Sequence, residues 1–185
     1  MENNNSKEKR IQFEINDYIK LEVIGYVNSL PESYLYFHTH PFWELIFITK
    51  GEGVHVINEK ELPGSNGGLY LIPPNLRHGF LNRSVCEVEK LYIGFSFNYS
   101  FYKKNSGEII FELDKIPGIQ AIKTQLKEIA EFIDRKSDYI HNLDINSIIQ
   151  ILTKITNFIN LDRQSNKDVK TIKSDNLVEK VRAYL

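Results

Sequence analysis

Sulfur is scarce in this chain. One cysteine, Cys86, and one methionine, Met1, occur in 185 residues. A lone thiol cannot close an internal disulfide, so a core must hold the fold, and a reducing compartment is the expectation. An excess of charge is also lacking. Lys and Arg number 23 against 24 Asp and Glu, a net charge of −1. That balance leaves no electrostatic footprint for nucleic acid over the chain as a whole. No apolar run is long enough to span a membrane, and residues 1–10 are polar with no apolar signal-peptide core behind them. These features predict a cytoplasmic protein without a membrane partner. No phosphate loop, helical H-E-x-x-H or Ser/His/Asp order supports a hydrolase or a nucleotide enzyme. There is no internal repeat, and the Asn run at residues 3–5 is the one low-complexity tract.

Hydrophobic residues make up 42% of the chain and charged residues 25%, values of a globular protein with a sizeable core. The densest chemistry lies in Phe37-His38-Thr39-His40-Pro41-Phe42-Trp43-Glu44, running on to Gly51. Residues two apart on a strand point to one face, so His38 and His40 share a face, and Glu44 has the same parity. A second stretch starts at Gly67-Gly68 and runs through Pro73, Asn75 and His78 to Asn82. Two histidines, a carboxylate and a distant third histidine converge on one volume only if the intervening strands close into a barrel.

The first stretch resembles the first cupin motif, H-x-H-x3-E-x6-G, in His38, His40, Glu44 and Gly51. The second resembles the second cupin motif, G-x5-P-x-G-x2-H-x3-N, in Gly67, Pro73, His78 and Asn82. Glu32 stands where the first motif usually opens with Gly, and Asn75 takes a Gly place in the second. Asn tolerates the left-handed conformation better than other non-Gly residues. The wording within the motifs (Trp-Glu-Leu-Ile-Phe-Ile-Thr-Lys-Gly-Glu-Gly, then Leu-Tyr-Leu-Ile-Pro-Pro) is similar to the sensor domain of bacterial transcription regulators of the arabinose-regulator (AraC/XylS) type. The resemblance spans most of residues 11–163. It implies a mainly β, cupin-type (double-stranded β-helix or jelly-roll) barrel followed by two C-terminal α-helices.

The strand pattern agrees with that architecture. Residues 11–15, 18–27, 34–40, 42–49, 54–58, 69–72, 78–82 and 88–97 read as short β-rich runs divided by turn signals, and 109–113 as one more. Residues 50–53 read as a hairpin turn, and 63–68 as a loop. Pro117 is placed to open a helix whose apolar face carries Ile119, Ile122, Leu126, Ile129 and Ile133. A second helix is expected over about 142–161, with Ile145, Ile148, Ile149, Leu152, Ile155, Phe158 and Ile159 on its apolar face. The domain reading is a flexible arm at 1–10, an effector-binding barrel at 11–113 and a helical dimerisation segment at 114–163. Residues 164–185 read as a linker and the first helix of a DNA-binding unit that is missing here.

Two readings of the four motif residues stand side by side. In metal-dependent cupins these positions are the metal ligands, and three imidazoles with one carboxylate suit zinc, nickel, iron or manganese. In sensor domains of the resembling type, similar residues bind a small organic effector without metal. Parity on the strands adds Tyr36, Ile46 and Phe80 as lining residues, and turns Trp43, Leu45 and Phe47 outward, with Trp43 against the helices. The stripe Ile148, Leu152, Ile155 and Ile159 has coiled-coil-like spacing and is the candidate homodimer seam. His55, His141 and Cys86 carry no assigned role.

The resemblance therefore implies a non-enzymatic effector-binding and dimerisation domain. Its effector is a sugar or aromatic compound, and it meets DNA only through the missing C-terminal domain. The alternative is a small metal-dependent cupin enzyme, a dioxygenase or sugar isomerase, built on His38, His40, Glu44 and His78.

Overall fold

The computed structural model describes residues 4–9, 13–14, 19–97, 111–113, 117–135 and 145–165. The strands are β1 (Asn4–Lys9), β2 (Phe13–Glu14), β3 (Ile19–Ser29), β4 (Ser33–His38), β5 (Trp43–Lys50), β6 (Gly53–Ile57), β7 (Lys60–Gly64), β8 (Leu69–Ile72), β9 (His78–Asn82), β10 (Val88–Phe97) and β11 (Phe111–Glu112). The helices are α1 (Ile119–Arg135) and α2 (Ile145–Ser165). This is the expected mainly β fold with two helices after the strands.

One sheet runs in the order β1-β3-β10-β5-β8-β11, with β2 also on β3. The other runs β4-β9-β6-β7. All pairings are antiparallel. Alternation along β5 divides the larger sheet into two apolar faces. On one side, Ile46 and Ile48 join Ile57, Leu62, Tyr70, Ile72, Leu76, Phe80 and Val88 in a core between the sheets. On the other, Trp43, Leu45 and Phe47 lie level with Phe95, Ile93 and Leu91 of β10, and all six are buried. Helix α1 lies along β3, β5 and β10. Its predicted face, Ile119, Ile122, Leu126, Ile129 and Ile133, is buried throughout. Each such isoleucine or leucine contributes about 1.5–3 kcal/mol by leaving water.

Several local expectations are corrected. Residues 4–9, read as a flexible arm, form β1 and give the outer edge of β3 a hydrogen-bonding partner. Residues 50–53 do not make a hairpin, because β5 and β6 belong to different sheets and the chain crosses between them at Gly51, whose φ is +83°. The hairpin comes next, between β6 and β7, turning on Asn58 and Glu59, both at positive φ. Pro63 and Gly64, read as loop, end β7. An edge strand tolerates a proline because its outward side needs no N–H donor.

Helix α1 begins at Ile119, two residues after Pro117, where the Gly118 carbonyl accepts from the Ala121 N–H. Residues 1–149 and 150–185 form two compact units, with the division inside α2. The linker and restarted helix read over 164–185 lie outside the described residues beyond Ser165, as does His141.

Candidate metal centre and barrel interior

β4 and β9 pair with His38 opposite His78, so the two imidazoles start level. His40 lies just past the end of β4, and its carbonyl accepts from the Asn75 N–H at 2.8 Å. Glu44 is the second residue of β5, opposite Gly94 of β10 and Ile72 of β8, on the inward face. A ligand atom from each of His38, His40, Glu44 and His78 lies within 4.8 Å of the others. The ring centroids of His38 and His40 lie 4.4 and 4.9 Å from that of His78. His38 stays exposed at the rim of the cluster, whereas the Glu44 and His78 side chains are buried.

Backbone carbonyls set the chemistry of the three rings. The Nδ1 atoms of His38, His40 and His78 lie 2.8 Å from the carbonyls of Tyr36, Phe42 and Leu76, respectively. A carbonyl only accepts, so each Nδ1 holds a proton and donates it. Each Nε2 is thereby turned to the cluster. His78 Nε2 meets Glu44 Oε2 at 3.0 Å. With Nδ1 already protonated, this bond needs a second proton, and the opposite shifts of the two groups, imidazole up and carboxyl down, favour the ion pair over a neutral pair. Burial alone would lower the His78 pKa, but the bond and charge of Glu44 outweigh it and raise it. Burial alone would raise Glu44, but His40 and His78 hold its carboxyl well below the usual carboxylate range.

His40 differs. Its Nε2 is buried without a hydrogen-bond partner among the described residues and sits 3.7 Å from Glu44 Oε2. Its ring is stacked on Phe42, centroids 4.1 Å apart and planes 2° apart. Phe42 has room to do this because residue 94 is glycine, where a Cβ would stand 2.5 Å from the Phe42 ring.

These residues fit a divalent transition metal. Three Nε2 atoms fixed by Nδ1–H bonds to carbonyls, one of them an orphan, are the outer-shell arrangement that orients imidazole ligands. Ligands held 2.0–2.2 Å from one ion stand at most about 4.4 Å apart, so the four side chains would draw inward around a bound ion. Binding would displace the second proton of His78.

The family comparison decides what surrounds this centre. Residues 26–93 match the cupin domain model. This region is a cupin domain. A 56-residue stretch of the chain is 34% identical to the HTH-type transcriptional activator RhaS of Pectobacterium carotovorum, covering 30% of this chain and 20% of that protein. The RhaS of Pectobacterium atrosepticum matches to the same extent. The chain thus spans about a fifth of the length of these curated relatives. Similar solved structures include a predicted oxalate decarboxylase from Thermotoga maritima, at 24% identity and TM-score 0.39, covering 40% of this chain and 65% of that one. A Cupin 2 conserved barrel domain protein from Salinispora arenicola aligns at 17% identity and TM-score 0.41, covering 50% and 76%.

Of the other residues named from sequence, Ile46 and Phe80 face the interior of the cupin barrel and are buried in its core. Tyr36 does not line it. Its relative exposure is 52%, and its ring meets Tyr34 edge-on at 5.6 Å on the outside. A bulge between Leu35 and His38 explains this. Three steps along β4 there match two along β9, so parity counted back from His38 inverts before Tyr36. Ile148, Leu152 and Ile155, the candidate dimer seam, are fully buried within the single chain. Ile159 lies in α2, and its side chain is outside the described ones. Asn82, the last motif residue, clamps backbone instead of lining the site. Its Nδ2 donates to the carbonyls of Ser29, Leu30 and Cys86, while its Oδ1 accepts from Ser84.

Two interior groups, one of them left without a role in the sequence and the other not singled out there, add to the site. Lys90 of β10 is buried, and its Nζ stands 3.6 Å from the centroid of the Phe80 ring. His55 of β6 is buried against Tyr70 and Phe80, and its Nε2 has no hydrogen-bond partner among the described residues. Burial brings the Lys90 pKa down to about 7, with Glu44 partly opposing the fall. Burial and then the charge of Lys90 bring His55 down to about 3. The signal for Lys90 was available, since it shares the inward parity of Val88 and Tyr92.

Proposed function

We propose that this chain is the effector-binding domain of a bacterial transcription regulator of the arabinose-regulator type, not an enzyme. The 34% match to an HTH-type transcriptional activator carries the reading. The barrel supports it, because buried polar groups at its mouth and interior are arranged to receive a small molecule. The effector class is a sugar or small aromatic compound. The working state is a cytoplasmic homodimer, with DNA contacted by a helix-turn-helix domain joined to this one. Ligand binding acts by population shift. The effector favours one arrangement of the tethered DNA-binding domains by as much as it binds that arrangement more tightly. A metal held by His38, His40, Glu44 and His78 would supply a Lewis-acid anchor for a ligand oxygen.

The test fuses this chain to a helix-turn-helix DNA-binding domain and reads a reporter across a panel of sugars and aromatic acids. A ligand that changes reporter output, and raises the melting temperature of the isolated chain, is expected. A metal-dependent dioxygenase or sugar isomerase is the second reading, favoured by the same four ligands. Metal-dependent turnover of dioxygen or an aldose, with no reporter response, would select it instead.

A further inference from the structure

The mouth cluster leaves two buried nitrogens unexplained deeper in the barrel. Lys90 Nζ rests on one face of Phe80 and makes no ion pair among the described residues. His55 is 2% exposed, meets the same ring edge-on at 4.9 Å, and its Nε2 lacks a hydrogen-bond partner among the described residues. Phe80 is held in place by two glycines of the neighbouring β6–β7 hairpin. A Cβ at Gly53 would stand 2.3 Å from its ring, and one at Gly64 would stand 3.1 Å from it. The ring therefore fixes where the ammonium sits. A cation over an aromatic face gains some attraction, but its N–H donors still need acceptors once water is removed. The charged and titratable groups around it are Glu44, engaged with His78, and neutral His55.

We propose that Lys90 and His55 form an anion-receiving subsite inside the barrel, which takes the carboxylate of a small organic acid. One carboxylate oxygen accepts from the Lys90 ammonium, and the other accepts from His55 Nε2–H. The remainder of the ligand extends from Phe80 toward the mouth. This rests on reading the barrel as a small-molecule receiver, and it narrows the ligand class to acids.

The probes are acetate and glycolate, with acetamide and glycolamide as uncharged matches, titrated at constant ionic strength and followed by calorimetry. Both carboxylates should bind saturably and both amides should not. Lys90→Met should weaken the carboxylates at least tenfold, while zinc uptake at the mouth stays within twofold of wild type. Equal binding of acid and amide, no saturable binding, or unchanged affinity in Lys90→Met would overturn the subsite. If Lys90→Met does not fold, 13C-lysine-labelled wild-type protein replaces it. The Lys90 Cε resonance must then move on titration with acetate, and a static resonance would sink the idea. A carboxylate bound through Lys90 without any reporter response would leave the subsite standing and remove only the regulatory reading.

Discussion

The cupin domain holds buried charge in two ways. At the mouth, Glu44 and His78 face each other at 3.0 Å, and a backbone carbonyl takes up the far nitrogen of each imidazole. In the interior, Lys90 has a ring face beneath it and, among the described residues, no carboxylate lies within ion-pair distance of it and no hydrogen-bond partner meets His55 Nε2. A buried ion pair resists removal of one partner because the other is then stranded, whereas a buried charge without a partner is a cost the fold already carries. The mouth should therefore fail on truncation, and the interior should tolerate it or gain.

Removing Glu44 gives the largest expected effect. Glu44→Ala strands the His78 imidazolium and takes from Lys90 its nearest opposing charge. The expected loss is about 3 kcal/mol by urea denaturation. Combining it with Lys90→Met should recover part of that loss, and strict additivity would show that the two regions do not feel one another. The sign of the pH effect follows from the depressed Glu44 pKa. Its stabilisation is present above 4.5, the ordinary value, and is lost as pH falls below it.

Metal uptake comes next. Zinc or nickel should bind wild-type protein stoichiometrically with release of a proton, and removal by chelation should be reversible. Because the His78 pKa is raised, affinity should weaken as pH falls through it. His78→Ala should weaken uptake at least tenfold, about 1.4 kcal/mol. Mass spectrometry on protein purified without a metal-affinity step checks this, and equal metal content in the variant would place the ion elsewhere.

The two regions also differed in how far the sequence disclosed them. His38, His40, Glu44 and His78 were readable because their spacing matches a known pair of motifs, and the register of β4 with β9 brings His38 level with His78. Ile46 and the outward set Trp43, Leu45 and Phe47 followed from strict alternation on β5. Alternation failed at Tyr36, where one bulge inverts the count, and nothing local in Tyr34–His38 marks that bulge. Gly51 was legible as a turn, but the change of sheet that follows it depends on which strands pair, a non-local property. The apolar stripe of α2 was legible, while what covers Ile148, Leu152 and Ile155 was not, since periodicity names a face and not its partner. Lys90 was missed because lysine is expected at the surface, although its parity put it inside.

Lys90→Met tests the interior directly. The lysine pKa falls from 10.5 to about 7 on folding. Between those values the unfolded chain binds the proton and the folded chain does not, so wild-type stability should rise with pH across that window. Lys90→Met should flatten the rise and be more stable than wild type near pH 7 by about 1 kcal/mol, read by chemical denaturation at several pH values. A variant less stable than wild type at every pH would make Lys90 a structural partner of Glu44, and the contrast between the regions would collapse.

The smallest effects lie in the turns that carry the mouth. Glu32 has φ of +54° and Asn75 of +62°, at the two places where the cupin motifs carry glycine. The left-handed conformation costs a β-carbon residue roughly 1–2 kcal/mol, less for Asn. Glycine gives back part of that gain through the entropy of the unfolded chain. Glu32→Gly should therefore stabilise by about 0.5–1 kcal/mol, and Asn75→Gly by a few tenths at most. Both turns flank the site, since Ser33 pairs with Asn82 and the Asn75 N–H holds the His40 carbonyl. If Asn75→Gly loosens that carbonyl, His40 Nε2 loses its aim and zinc affinity falls without a matching loss of stability. If affinity and stability both stay within error, the Phe42 stack alone is enough to orient His40.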